Sequence, residues 1–260
     1  MSISECREHY NKAARCPPSD LFMADRRHAH NAVKSQAISH AVAIGTCSVP
    51  YRVLDLACGR GGDYVKHAKR GACAAYYGVD VADEAIDELE RRVQQCRCIP
   101  SVHVYCGDAC DIPWKGSSVN ADICTVNFAL HYFFDNRKHL DHLLSVVSRS
   151  LKDGCIFVGT YMDWRALPSC NEAMSDKKWP TEEELADNPF GHVYHYKMGR
   201  CVDAKEYVVH IPTLCTMAQT HGLYLVLNRS FRCFVASQTQ HSNNCQHGQF
   251  VFMFRKCRRQ

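Results

Sequence analysis

Residues 53–63 read Val-Leu-Asp-Leu-Ala-Cys-Gly-Arg-Gly-Gly-Asp, an apolar run entering a cluster of glycines. Glycines after a first strand let the backbone turn tightly and approach a ligand closely. Asp80, which closes the next apolar run, stands where a carboxylate can accept hydrogen bonds from both hydroxyls of a ribose. A nicotinamide dinucleotide site would want a third glycine at position 64, where this chain has Tyr64. That difference points away from a pyrophosphate and toward a nucleoside without one. Gly107-Asp108 offers a second carboxylate after the third apolar run, able to take the exocyclic amine of adenine, although such an acid alone is more often a helix cap. His131-Tyr132, past the fourth run, falls at the same edge and can face a substrate.

These side chains need a scaffold that brings several strand ends together. Strands are expected over 51–56, 75–80, 102–106, 121–127 and 155–161, with helices over 63–70, 84–95 and 139–151 between them. Ala85, Ile86, Leu89 and Val93 recur at helical spacing within the second of these helices. Alternation at these lengths predicts βαβ units and a largely parallel sheet. A polar helical stretch over 24–43 precedes the first strand. Residues 165–200 break the rhythm with Pro168, Pro180, Pro189 and the acidic run Glu182-Glu183-Glu184, which reads as an insertion. A helix over 213–221, a strand over 223–227, a polar loop around 236–249 and a strand over 250–254 then close the chain, the last two strands as a pair at the sheet edge.

With 260 residues and 46% apolar content, the chain is large enough to bury a sizeable core in one α/β domain. No apolar run approaches the ~18 residues of a membrane span. The start, Met-Ser-Ile-Ser-Glu-Cys-Arg-Glu, lacks the apolar stretch of a secretory signal, so an intracellular protein is expected. The 17 cysteines are an odd number in a large chain of this kind, so they read as reduced thiols. No metal site is expected: Cys96 and Cys98 are one residue too close for a zinc knuckle, and Cys106 and Cys110 have no matching second pair. Basic residues gather in the first seventy positions and again at Arg255, Lys256, Arg258 and Arg259, which suits an anionic partner.

The pieces His9-Tyr10-Asn11, Arg-His-Ala-His-Asn-Ala-Val-Lys over 27–34, the glycine motif over 54–63, Gly-Val-Asp-Val-Ala-Asp over 78–83, Phe-Ala-Leu-His-Tyr over 128–132 and Phe-Arg-Lys over 254–256 together resemble the mRNA cap guanine-N7 methyltransferases, cellular and viral. The glycine motif alone says only methyltransferase; the upstream Asn-x-x-Lys and the His-Tyr pair make the resemblance specific. It implies a Rossmann-like, seven-stranded class I methyltransferase sheet with helices on both faces and a small cap-binding insertion. The chain would be one domain: a helical segment over 1–50, a cofactor-binding core over 51–161, an insertion lining the substrate pocket over 162–210, and terminal strands over 211–260.

The same resemblance implies S-adenosylmethionine as cofactor and capped RNA as substrate. Lys34 would pair with the carboxylate of the cofactor's methionine part, Asp80 would hold its ribose and Asp108 its adenine. The backbone at Ala57 and Gly59 would approach its amino acid end, and Asn127 and Tyr132 would line the methyl-donor site. For the cap, the resemblance implies His131 and Glu206 as guanine-edge contacts, with Arg60, Lys66 and Arg92 on the triphosphate. A carboxylate at Glu206 could accept from guanine's N1–H and exocyclic amine, a donor pattern that adenine lacks; a solvent-facing edge acid is the plainer alternative. Three positions depart from the family pattern: Ala57 replaces a glycine, His30-Asn31 replaces paired asparagines that meet the cap, and Gln249 falls where a tyrosine meets it.

Transfer of a methyl group to guanine N7 needs no general base, because N7 has a free lone pair and no proton to remove. Positioning and electrostatics are therefore expected to carry catalysis, with no single catalytic residue. A monomer is expected, working with other capping enzymes and without a membrane, in the nucleus, or in the cytoplasm if viral. Two alternatives stay open at this stage: a methyltransferase of the same fold with another substrate, and a non-catalytic cap- or RNA-binding subunit.

Overall fold

The computed structural model describes residues 3–15, 21–114, 119–170, 173–198, 202–236 and 248–258. Two helices open it, α1 (Ile3–Arg15) and α2 (Leu21–Ile44). Strand and helix then alternate as β1 (Tyr51–Leu56), α3 (Gly62–Arg70), β2 (Cys73–Asp80), α4 (Asp83–Gln95), β3 (Ser101–Cys106), β4 (Ala121–Asn127), α5 (Arg137–Ser150) and β5 (Leu151–Met162). A 3-10 turn over Leu130–Phe134 connects β4 to α5. After the insertion come α7 (Ile211–Thr220), β9 (Leu223–Ser230), α8 (Phe231–Ala236) and β10 (Gln249–Lys256).

Seven strands form the sheet, in the order β3-β2-β1-β4-β5-β10-β9. The first five lie parallel, while β10 runs antiparallel between β5 and β9. A parallel sheet is buried on both faces, and the side-chain alternation of each strand divides between two cores. On β1, Leu54 and Leu56 face the core capped by α5 and α7, while Tyr51 and Val53 face α2, α3, α4 and α8. The same division puts Tyr77 and Val79 of β2 on one side and Tyr76 on the other. On α2, Val33, Ala37 and Ala41 bury one stripe against the sheet at a spacing of four, leaving Lys34 on an adjoining face.

The turn after β1 depends on one glycine in particular. Gly61 adopts a φ of 73°, and a Cβ added there would lie 2.4 Å from Leu89 of α4. Its N–H reaches the Cys58 carbonyl at 3.1 Å, and its own carbonyl receives Val65 N–H at 3.2 Å, opening α3. A side chain at this position would meet both backbone strain and a buried leucine.

The expected insertion is a small folded unit. Strands β6 (Ala173–Met174), β7 (Val193–Met198) and β8 (Val202–Tyr207) form an antiparallel sheet of their own. Beneath it Leu167, Leu185, Tyr194 and Val208 make a separate apolar cluster. The acidic run is the first turn of a short helix, α6 (Glu182–Asp187), started by a reciprocal capping box between Thr181 and Glu184. Acids belong there, next to the unpaired N–H groups of a helix start.

Elsewhere the structure moves several expected boundaries. Glu206 lies inside β8 and is buried rather than a solvent-facing edge acid, with Val208 and Val209 buried just beyond the strand's end. Helix α8 was not anticipated, and β9 and β10 extend past the expected runs at 223–227 and 250–254. Most of the loop expected at 236–249, together with Arg259, lies outside the described residues. No helix among the described residues is long and apolar enough to cross a membrane.

The close contact at Gly61 gives a stability prediction. Gly61→Ala is expected to destabilise the fold by roughly 2–4 kcal/mol, combining left-handed strain with overpacking against Leu89. Urea unfolding checks this, with a lowered midpoint at unchanged slope.

Candidate active site

The carboxyl ends of β1, β2 and β4 open into one cavity of about 520 Å³, roofed by α1 and flanked by α2 and the insertion. At its floor the chain leaves β1 through Ala57, whose φ of 57° is left-handed. A glycine would relax here; alanine holds the strained turn because its neighbours are fixed. Cys58 N–H pairs with the Val79 carbonyl at 2.9 Å, tying the turn to β2. Gly59 follows at a φ of 52°, and a Cβ there would meet nothing within 4 Å, so the backbone borders open cavity.

Asp80 holds the next part of the rim. Its carboxylate accepts Gly59 N–H at 2.7 Å and Ala82 N–H at 3.0 Å. Burial raises its pKa, while these backbone donors work in the opposite direction. Each oxygen keeps acceptor capacity for a hydroxyl. The Asp80 carbonyl receives Gly107 N–H at 2.8 Å, which places Asp108 beside it. Asp108 accepts Cys110 N–H at 2.8 Å in a turn that no helix follows, so it is not the helix cap of the plainer reading, and it lines the cavity.

A residue without an expected role organises the opposite wall. Asp63, in the first turn of α3, is buried and accepts from Lys34 at 3.0 Å, Lys66 at 2.8 Å and Asn127 at 2.9 Å. Burial alone would raise its pKa, but the two ammonium groups outweigh that effect and hold the carboxyl well below its usual range. Burial and the nearby Lys34 charge push Lys66 down in turn, against the pull of Asp63. Lys66 also donates to Asn31 and to the Gly62 carbonyl, both at 2.9 Å. The sequence signal for this cluster was present: an acid directly after the glycines, with lysines in α2 and one turn further along α3.

The third wall carries a different chemistry. His131 and Glu206 are both buried, with Nε2 and Oε1 3.5 Å apart and no hydrogen bond formed between them. Burial lowers the His131 pKa to about 3, so the ring is neutral, and it raises that of Glu206 to about 7. Tyr132 shares a hydroxyl–hydroxyl hydrogen bond of 2.6 Å with Tyr10 of α1, closing the roof. Helix α1 is further pinned by Arg7 to the Val81 carbonyl at 2.8 Å and by Asn11 to Asp83 at 2.6 Å. His30 stacks on Phe128 with ring centroids 5.0 Å apart, and Gln249 is buried at the start of β10, facing the same cavity.

The fold thus brings His30, Lys34, Ala57, Gly59, Asp80, Asp108, Asn127, His131, Tyr132, Glu206 and Gln249 to one cavity, with exposed Arg60 at its edge. Asn31 and Lys66 do not line it, and are joined to each other by a hydrogen bond. Arg92 does not line it: on α4 it pairs with Glu88 at 2.8 Å. Besides Asp63, the expected set omitted Tyr10 and Phe128, both cavity-lining. Phe128 adopts a φ of 54°, a strained backbone that no sequence pattern announced.

Comparison with known proteins gives this arrangement a family. The mRNA (guanine-N(7))-methyltransferase domain matches residues 2–250. The chain belongs to that family. Among curated relatives, the mRNA cap guanine-N(7) methyltransferase 1 of Oryza sativa subsp. japonica is 31% identical over 241 residues, covering 81% of this chain and 62% of its own. The mRNA cap guanine-N(7) methyltransferase of Saccharomyces cerevisiae is 27% identical over 263 residues, covering 89% and 59%. The chain therefore spans about three-fifths of the length of these relatives.

Solved structures agree on the class I methyltransferase fold. The CcbJ methyltransferase of Streptomyces caelestis superimposes with a TM-score of 0.62 at 15% identity, over 94% of this chain and 98% of its own. Magnesium protoporphyrin IX methyltransferase from Synechocystis PCC 6803, determined with bound SAM, gives 0.61 at 11% identity over 98% and 96%. The expected α/β fold and family are both confirmed.

The wall built on Asp63 and the turn at Ala57 each yield an expected outcome. Asp63→Asn leaves two partly buried ammonium groups without their counter-charge and is expected to cost up to about 3 kcal/mol. Because the folded pKa is depressed, the carboxylate's contribution is present above its unfolded pKa and lost as pH falls through the folded value. Unfolding measured across acidic pH should therefore show a flatter acid limb in Asp63→Asn. Ala57→Gly should stabilise the fold by up to about 1 kcal/mol, seen as a raised melting temperature, once glycine's chain entropy is set against the strain removed.

Proposed function

We propose that this protein transfers a methyl group from S-adenosylmethionine to N7 of the guanosine cap of mRNA. The observation that carries the proposal is the convergence, in one cavity, of a nucleoside-type rim at Gly59, Asp80 and Asp108 with a buried carboxylate and neutral imidazole at Glu206 and His131. The family supports the same reading.

The residues present fit the cofactor. Open space beside Gly59 admits an amino acid moiety, Asp80 retains acceptors for ribose hydroxyls, and Asp108 stands next along the rim for adenine. Lys34 has three donors and only one acceptor among its described ion pairs, so it can take a carboxylate while keeping Asp63. Asn127, held by Asp63, and Tyr132, held by Tyr10, line the wall between the cofactor and cap halves. The bound cofactor supplies an electrophilic methyl on a sulfonium.

The protein's own part is orientation and field. Glu206 accepts from the donor edge of guanine and places its charge near a base that becomes cationic on methylation at N7. His131, neutral, adds a polar contact without a repelling charge. Holding N7 in line with the methyl group can contribute roughly 7–11 kcal/mol through positioning alone. Arg60, at the cavity edge, is the cation offered to the triphosphate bridge, and His30 and Gln249 shape the remaining cap contacts, whereas Lys66 spends its three donors on Asn31, the Gly62 carbonyl and Asp63. Arg92, committed to Glu88, takes no part in the proposed site. The protein would act as a monomer on capped RNA, alongside other capping enzymes, in the nucleus.

The test is methyl transfer from labelled S-adenosylmethionine to RNA with an unmethylated guanosine cap, beside an adenosine-capped control. Label recovered only as 7-methylguanosine supports the proposal; cofactor binding with neither RNA labelled rejects it. A pH series adds a second expectation. Glu206 must be ionised to accept two donors, so kcat/KM for capped RNA should rise as pH passes through about 7 and be lost below it. Glu206→Gln should remove that limb.

A further inference from the structure

In the insertion, β7 and β8 pair antiparallel with Tyr194 directly opposite Glu206. The Tyr194 hydroxyl donates to Glu206 Oε2 at 2.5 Å, and both side chains are buried. Glu206 Oε1 points elsewhere, toward His131 Nε2 at 3.5 Å, without a hydrogen bond between them. The two oxygens of one carboxylate therefore have different duties: one is anchored, and the other stays available on the cavity side. Trp179 packs on the Tyr194 ring at a centroid distance of 5.7 Å, and Leu185 and Val208 complete the surrounding cluster. The phenol cannot swing away without opening that cluster.

We propose that Tyr194 is a positioning residue for cap recognition, fixing the plane of the Glu206 carboxylate so that Oε1 meets the donor edge of guanine. This rests on the assignment of Glu206 to the guanine edge. The register of the insertion sheet is then itself a determinant of specificity, because a slip of one residue would turn Tyr194 to the opposite face.

The groups that face Glu206 come from every side of the site. They are Tyr194 from β7, His131 and Tyr132 from the turn after β4, and Tyr10 from α1. Burial keeps the imidazole neutral and all three phenols protonated at neutral pH. Tyr194 can thus only donate to the carboxylate, and its hydrogen bond favours the ionised form against burial. Removing the hydroxyl should move the acid limb of cap binding to higher pH and leave the carboxylate free to rotate.

The experiment compares Tyr194→Phe, Glu206→Gln, the double variant and Trp179→Phe, using RNA with guanosine and inosine caps. Inosine lacks the exocyclic amine, so the ratio of the two reports how well the carboxylate is aimed. Tyr194→Phe is expected to raise KM for the guanosine cap by about ten-fold or more, the effect of losing a hydrogen bond to a charged group. It should also narrow the guanosine–inosine ratio and shift the acid limb upward, with KM for S-adenosylmethionine unchanged. In the Glu206→Gln background the same substitution should change little, since Tyr194 acts through the carboxylate. Trp179→Phe keeps the hydroxyl but loosens the packing that holds it, so it should lower the melting temperature and shift the acid limb upward by less than Tyr194→Phe does.

Equal effects of Tyr194→Phe in both backgrounds, or an unmoved acid limb, would overturn the proposal and leave Tyr194 a packing residue. If Tyr194→Phe does not fold, the test passes to Trp179→Phe, which keeps the hydroxyl: an acid limb displaced as the cluster loosens supports the anchoring role, and a stable variant with a lost cap preference at an unmoved limb rejects it. Failure of the underlying assignment looks different. There, Glu206→Gln would discriminate the caps as well as the unmodified protein does, and both readings would fall together.

Discussion

Asp63 is the constraint from which the site is built. One buried carboxylate joins three separately encoded elements: Lys34 from α2, Lys66 from its own helix α3, and Asn127 from the end of β4. A charge taken out of water persists only where its partners are held in place, so the ion cluster and the apolar packing around it require one another. The stripe Val33, Ala37 and Ala41 seats α2 on the sheet, and that seating delivers Lys34 to Asp63. The cluster in turn sets which end of α2 borders the cavity.

A second layer of organisation follows from the carboxyl end of the parallel sheet. Every strand from β1 to β4 releases its chain at the same edge, so residues far apart in sequence meet without any long-range device of their own. The turn at Ala57 to Gly61 exposes backbone to the cavity, while Asp80 braces it from the next strand through Gly59 N–H. Support from the neighbouring strand explains how an alanine is kept left-handed at position 57: the pairing of Leu56 in β1 holds the residue before it, and the Cys58 pairing to Val79 with the Asp80 contact at Gly59 holds those after it.

The part of the cavity around Glu206 and His131, the proposed cap side, obeys different physics. It is assembled from the insertion, the turn after β4, helix α1 and the start of β10, and its polar groups are buried rather than braced by opposite charge. Burial is what separates the two titrating partners, taking His131 down to about 3 and Glu206 up to about 7. A neutral donor beside an acid that ionises near neutrality is a recognition pair whose state the surrounding apolar cluster sets. The wall that holds Lys34 against Asp63 and the wall that sets Glu206 beside His131 line one cavity, so a charged group and a base can be met there together.

Much of this was legible in the chain itself. Glycines after an apolar run, followed by acids at the ends of the next two runs, reveal a nucleoside-type site because hydrophobic period and turn chemistry are local properties. The alternation of runs likewise determined the parallel core, and the combined motifs determined the family. What tertiary structure alone decided were the pairings. Asp63 gained its role only when α2 and β4 came within reach of α3; Arg92, basic and plausibly placed in sequence, was claimed by Glu88 on the same helix. The acidic run at 182–184, which suggested little beyond an insertion, became a capped helix start. Glu206 became a buried acid because β7 and β8 pair in one register, with Tyr194 opposite. Local sequence specifies what an element is and which face is apolar, but the energy of a buried charge depends on neighbours that only the folded chain supplies.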